Sequence, residues 1–371
     1  MELKLQVILA SLLLITTATE AAESSDLITA LFEQNRTDAS SMRVPRCSVA
    51  ALEAQMDWIL SRTASEVDFS FAVERSDGHR YSFNRGKSSL HTSYKSASTS
   101  KLVSAVIILR LVERGYLSLS DRPQDYIRAW PISENDSLYG MTLAQLLSFT
   151  SGLTDDPLCL NLARADFRRC VLKIANKNAG NGIVPGKEFY YSSTHLQVAG
   201  LMAINALGVS SWQDVFTLFK TETGLFSTST YDLPSSANPR LAGGMHWTGK
   251  EYMVFLKALK EGELLSDYWT GQLLADHTVS ATMVNSPAKS KLGEDWHYGF
   301  GLWHECQSEA FDCDAGERVS SPGAYGAYPF WDRTNQYFGI VARQGKLGTY
   351  PNGIAIERAV RSKLEQWADC Q

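Results

Sequence analysis

Strand-like alternation is confined to the two ends of this 371-residue chain, so any fold it adopts has to bring those ends together. Near the start, Val67, Phe69, Phe71 and Val73 alternate with other residues, and Ser76-Asp77-Gly78 marks a turn before Tyr81 and Phe83. Near the end, the stretches Tyr298 to Trp303, Ala327 to Trp331 and Tyr337 to Ala342 read as strands. A helix capped at Ser48, with Leu52, Met56, Ile59 and Leu60 at helical spacing, precedes the first group, and an amphipathic helix from about Gly353 to Trp367 follows the last. Between the two groups the chain is mainly helical, broken by Gly and Pro. The pattern predicts an α+β fold: one antiparallel sheet built from both chain ends and flanked by helices, with a helical subdomain over roughly 120–290.

The chain begins Met1-Glu2-Leu3-Lys4, continues with an apolar run from about Val7 to Ile15, and reaches small residues at Ala21-Ala22. This is the anatomy of a signal peptide over 1–22, and the run is far short of the roughly 20 residues that cross a bilayer. Residues 23–46 are polar and read as a poorly ordered extension, which leaves 47–371 as the folded domain. Six cysteines fit an exported protein. Proximity pairs Cys159 with Cys170 and Cys306 with Cys313, leaving Cys47 and Cys370 to tie the start of the domain to its end, one of 15 possible pairings. Sequons at Asn35 and Asn135 fit the same secreted, extracellular route. With a net charge of −5 and no basic block, nucleic acid is not an expected partner. No Cys-x-x-Cys or paired Cys/His spacing is present, so neither a metal nor another cofactor is expected.

Ser98-Thr99-Ser100-Lys101 opens a stretch, Leu102 to Val112, that is apolar nearly all round, the pattern of a buried helix. Positions i and i+3 share a helix face, so the pattern sets the Lys101 amine beside the Ser98 hydroxyl. Burial and the helix N-terminus both disfavour the ammonium, which makes Lys101 a base for a serine nucleophile. The same four-residue pattern recurs at Ser286-Pro287-Ala288-Lys289, in a polar stretch that offers no such setting. There is no Gly-x-Ser-x-Gly elbow, and the seven histidines are scattered.

From Ser98 onward the chain resembles the class C β-lactamase and penicillin-binding-protein-like serine hydrolases. Thr142 to Leu153 is similar to the family's T-L-x-x-L-L-x-H-T-S-G-L segment, Pro185 to Ser193 to its P-G-x-x-F-x-Y-S-N segment, and Pro239 to Gly244 to its P-x-x-A-G-G turn. The resemblance covers about 48–368. It implies that Ser98 forms an acyl-enzyme, that Lys101 and Tyr191 share the proton transfers, with the Tyr191 phenolate favoured by its neighbouring cation, and that Ser193 assists in place of the family's Asn. The family's third motif, K-T-G or H-T-G, is represented by Ser321-Pro322-Gly323, with Gly323 open to substrate and the Ala324 N–H joining that of Ser98 in an oxyanion hole.

The cation of that third motif is absent. An uncharged small-molecule ester, amide or peptide substrate is therefore expected, with Tyr325, Tyr328, Phe330, Trp331 and Trp247 lining the cleft for an apolar acyl or alcohol portion. Two alternatives stay open: a true β-lactamase or D,D-peptidase, and a non-catalytic binding or regulatory protein on the same scaffold.

Overall fold

A computed structural model describes residues 47–370. The expected signal peptide, the polar extension and the Asn35 sequon lie outside these residues. The Asn135 side of the protein is described, and Asn135 is exposed.

Twelve strands occur among the described residues: β1 (Phe69–Arg75), β2 (Arg80–Asn84), β3 (Ser93–Lys95), β4 (Glu188–Tyr190), β5 (Thr230–Tyr231), β6 (Met245–Thr248), β7 (Thr282–Asn285), β8 (His297–Tyr298), β9 (Trp303–His304), β10 (Arg318–Ser320), β11 (Tyr328–Asp332) and β12 (Tyr337–Arg343). Seven form one antiparallel sheet in the order β2-β1-β12-β11-β10-β9-β8, so the two ends of the chain do share a sheet. The seam between them is β1 against β12, in register from Phe69↔Arg343 to Arg75↔Tyr337. Every residue of both strands is buried, and helices Gly249–Lys260 and Tyr350–Asp369 pack on β12. A strand covered on both faces is apolar without alternation, which is how Phe338 to Ala342 reads. Gly339 is required here: a Cβ would lie 2.5 Å from the Ala72 carbonyl oxygen and 2.6 Å from the Phe330 ring.

The stretch expected as one strand from Tyr298 to Trp303 is two short strands, β8 and β9, because Gly299 and Gly301 turn the chain between them. The middle of the sequence is helical over most of its length, but it also holds β4 to β7. β6 pairs with β3 and β5, and β4 pairs with β7 in parallel. Helix Ser100–Glu113 runs through the interior with twelve of its fourteen residues buried. It packs on helix Thr194–Ala206, which is itself buried nearly all round. Both are rich in apolar residues around most of their circumference because little of either meets water.

Disulfides join Cys159 to Cys170 and Cys306 to Cys313, as proximity predicts. Cys47 and Cys370 are also disulfide-bonded. No helix among the described residues is long and apolar enough to cross a membrane.

The sheet is fastened to the last helix by buried charge. Arg318 on β10 pairs with Asp332 at 2.8 Å and with Glu357 of helix Tyr350–Asp369 at 2.7 Å, and Arg361 closes on the same Glu357 at 2.5 Å. Glu357 is fully buried. Removing one member of such a group leaves the others charged and unpaired, which costs about 3–5 kcal/mol. Glu357→Ala is therefore expected to lower unfolding stability by about that much, measured by urea denaturation.

Candidate active site

Ser98 lies in a 3-10 turn, Ala97–Thr99, and the α-helix proper starts at Ser100. Ala97 has φ of +46°, a left-handed conformation that a residue with a Cβ adopts only when its surroundings hold it. The holding contacts are plain. The Ser96 N–H donates to the Met245 carbonyl at 2.9 Å and the Ser100 hydroxyl to the Ala97 carbonyl at 2.9 Å. Trp247 Nε1 donates to Thr99 Oγ1 at 2.7 Å, and the Tyr252 hydroxyl to the Thr99 carbonyl at 2.9 Å. The turn is clamped by β6 and by the helix that follows it.

Lys101, only 3% exposed, sets its Nζ 2.8 Å from Ser98 Oγ and 2.9 Å from the Ala242 carbonyl oxygen. The face of the Tyr191 ring lies 4.5 Å away. Burial pulls the amine down to about 7. Arg240 pushes it the same way and Asp156 opposes. The Ser286 pattern does nothing similar. Ser286 caps helix Pro287–Leu292 by accepting from the Lys289 N–H, and the exposed Lys289 amine is 3.9 Å from Asp295.

Tyr191 follows β4 and is fixed through its backbone, its N–H donating to the Asn285 carbonyl and its own carbonyl accepting from Asn285 Nδ2, both at 3.0 Å. Its ring stacks on Trp303 at 5.1 Å, and Ser98 and Trp303 both pull its hydroxyl toward the ionised form. Burial nevertheless raises it to about 12. The expectation of a favoured phenolate is corrected here: desolvation outweighs the pull of Ser98 and Trp303, and Tyr191 is a phenol beside the buried Lys101 amine. Its neighbour Tyr190 belongs to β4, and its carbonyl accepts from His195 Nε2 at 2.8 Å. His195 also meets the Ser151 hydroxyl, but both are fully buried and burial lowers the imidazole to about 3, so this serine–histidine pair is packing.

Ser193 stands at the head of helix Thr194–Ala206, where its N–H donates to Asp156 at 3.2 Å, and it lines a cavity shared with Ser98 and Lys101. The third segment lies just beyond β10 rather than within it. Ser321 is turned inward: it is 3% exposed and its hydroxyl donates to the carbonyls of Ser98, at 3.3 Å, and Gly301. In place of the expected substrate contact, the Ser321 hydroxyl braces the turn that carries Ser98. Gly323 is needed for that approach, since a Cβ would stand 2.4 Å from the Ser96 carbonyl oxygen. Among the described residues, neither the Ser98 nor the Ala324 N–H has a hydrogen-bond acceptor, and both residues border the cleft.

Two cavities meet at Ser98 and Ala324. One is apolar, with Tyr191, Trp296, Trp303 and Tyr350 among its walls. The other is polar and includes Lys95, Lys101, Ser193, Arg240 and Tyr325. Of the aromatics expected in the cleft only Tyr325 is there. Trp247, Tyr328 and Phe330 are core, and Trp331 borders a separate hollow beside Arg333. Trp296, Trp303, Tyr350, Lys95 and Arg240 escaped the sequence reading. Arg240 alone carried a signal, its place inside the Pro239–Gly244 turn. Cys306, Asp312 and Cys313 cluster, but the two cysteines are joined to each other and cannot ligate a metal.

A sequence profile described as Beta-lactamase matches residues 72–356. Penicillin-binding protein 4 of Amycolatopsis lactamdurans is 29% identical over 146 residues, 39% of this chain and 37% of that protein. The match thus spans little more than a third of the length of this curated relative. Among solved structures, a proposed β-lactamase from Bacteroides dorei DSM 17855 is similar with a TM-score of 0.69 at 23% identity, over 85% of this chain and 98% of the other. EstCE1, described as a hydrolase with promiscuous acyltransferase activity, is similar with a TM-score of 0.65 at 18% identity, over 84% and 98%. At these identities the structures share the fold.

The depressed Lys101 has a consequence for stability. Its folded value, about 7, lies below the ordinary 10.5, so between those values the unfolded chain binds more protons and stability rises with pH. Below pH 7 the full cost of burying the ammonium is present. Lys101→Met is expected to raise stability at pH 6 by about 1–3 kcal/mol and to flatten its rise between pH 7 and 10, as read by urea denaturation across that range.

Proposed function

Since this chain belongs to the β-lactamase family of serine hydrolases, we propose that it cleaves an ester or amide through an acyl-enzyme on Ser98. The observation that carries this reading is the buried Lys101 amine, 2.8 Å from Ser98 Oγ and poised near neutrality. Uncharged, the amine takes the Ser98 proton as Oγ attacks the carbonyl carbon. The Ser98 and Ala324 N–H groups receive the oxygen that becomes negative in the tetrahedral intermediate. As the intermediate collapses, the Tyr191 phenol gives its proton to the leaving alcohol or amine and regains one from the Lys101 ammonium. Water then attacks the acyl carbonyl with its proton passing to Lys101, the bond to Oγ breaks, and the acid is released with Ser98 restored. Ser193 and the apolar wall of Trp296, Trp303 and Tyr350 hold the substrate on either side of that carbon.

The third segment separates this activity from β-lactam hydrolysis. Ser321 brings no charge to the place where the resemblance puts a Lys or His, and its hydroxyl is occupied by two carbonyls. We also place the protein outside the cytoplasm. Its described cysteines are all disulfide-bonded, a state kept in oxidising compartments.

A fluorophosphonate probe is expected to label the wild type and not Ser98→Ala; labelling that persists in the variant removes Ser98 as nucleophile. Hydrolysis of p-nitrophenyl butyrate by the wild type is expected to rise tenfold per pH unit below pH 7 and level off above it, because only the neutral Lys101 accepts the proton. In Lys101→Met this limb disappears and kcat falls by about 10²-fold or more. Nitrocefin turnover is expected to lag behind ester turnover by about 10²-fold in kcat/KM, a loss in keeping with one missing charged contact, and parity between the two would return the enzyme to the β-lactamases.

A further inference from the structure

The two cavities at Ser98 differ in which catalytic group they contain. Tyr191, the group able to donate a proton, lines the apolar one, and Lys101 lines the polar one. A leaving group has to lie beside the acid that protonates it. In the reading above it therefore occupies the apolar side, and the acyl chain runs from the same carbonyl carbon into the polar side.

That polar cavity is basic. Lys95, Lys101 and Arg240 all border it, and none of its lining residues is acidic. Arg240 is positioned through its main chain: its N–H donates to the Leu233 carbonyl at 2.8 Å, and its carbonyl accepts from the Gly243 and Gly244 N–H groups at 3.1 and 2.6 Å. Gly244 is tightly enclosed by this turn, where a Cβ would stand 2.4 Å from the Leu233 carbonyl oxygen. The guanidinium reaches Asn161 through Nη2, while its Nε is buried and without a hydrogen-bond partner. Burial disfavours its charge, and Asp156 only partly offsets this while it accepts the Ser193 N–H. An arginine that borders a cavity is suited to a carboxylate, which a guanidinium can grip with two parallel hydrogen bonds.

We infer that the acyl portion of the substrate ends in a carboxylate, which Arg240 binds in the polar half of the cleft. The enzyme is then a hydrolase of half-esters or half-amides of dicarboxylic acids. The charge is held on the acyl side of the scissile bond, opposite the apolar leaving group. This rests on Ser98 forming the acyl-enzyme, with Tyr191 as the acid.

The test compares two esters with one leaving group, p-nitrophenyl butyrate and mono-p-nitrophenyl glutarate, on the wild type, Arg240→Gln and Arg240→Lys. The wild type is expected to prefer the glutarate in kcat/KM. In Arg240→Gln the glutarate-to-butyrate ratio falls by about 10- to 100-fold, the range for losing a charge-assisted pair, chiefly through KM for the glutarate; Arg240→Lys recovers part of it. A wild-type ratio at or below one overturns the inference without recourse to any variant, as does a preference that Arg240→Gln leaves intact. Failure of the wild type to turn over either ester in a Ser98-dependent way overturns the acyl-enzyme reading instead.

Discussion

Everything in the cleft depends on one amine being kept dry. Lys101 sits on a helix buried over most of its surface, and its Nζ meets a serine hydroxyl, a carbonyl oxygen and an aromatic face, with the residue only 3% exposed. A lysine in such a place loses most of its preference for the charged form. The same burial that makes it a base near pH 7 works against the fold, because below that pH a cation has to be kept inside. The buried, largely apolar helix behind it and the clamped turn at Ala97 hold this unfavourable group in place.

Keeping Lys101 dry also sets the state of Tyr191. A phenolate would be favoured beside a full ammonium. Here burial pulls the amine down to about 7, and the phenol is itself desolvated, which favours its protonated form. The two groups are pushed apart by their environment, one toward base and one toward acid. Separated titrations of this kind are what assign roles within a proton-transfer pair. The sequence resemblance could name both residues, but not which one carries the proton, since that depends on burial rather than spacing.

The same boundary runs through the rest of the chain. The sheet from both chain ends, the buried helix, two local disulfides and the Ser98–Lys101 pair were legible because each rests on periodicity or on short separation along the chain. Ser286-Pro287-Ala288-Lys289 could be set aside because no apolar helix follows it. What was not legible is what comes together across the fold. Trp296, Trp303 and Tyr350 looked no different from core aromatics. Trp247, Tyr328 and Phe330, which looked like cleft residues, were core. Ser321 sits where a substrate contact was expected, yet its side chain is directed at the Ser98 carbonyl, a rotation that no pattern encodes.

Arg240 shows how a missing charge in one motif differs from a missing charge in a site. Ser321-Pro322-Gly323 has no cation, and from the sequence this pointed to an uncharged substrate. The cleft has cations all the same, from β3 and from the turn before β6, across Ser98 from the apolar wall. The charge lies not in the third segment but in the polar cavity beside Ser98. A substrate carboxylate bound there would stand near Lys101 as well as Arg240, and a nearby anion favours the ammonium. Binding such a substrate would therefore raise the pH at which Lys101 becomes a base. The neutral ester, which leaves the polar cavity without an anion, would react with Lys101 near its free value. In the proposed reaction the two halves of the cleft would be coupled through this one amine, an anion on the polar side favouring its charged form.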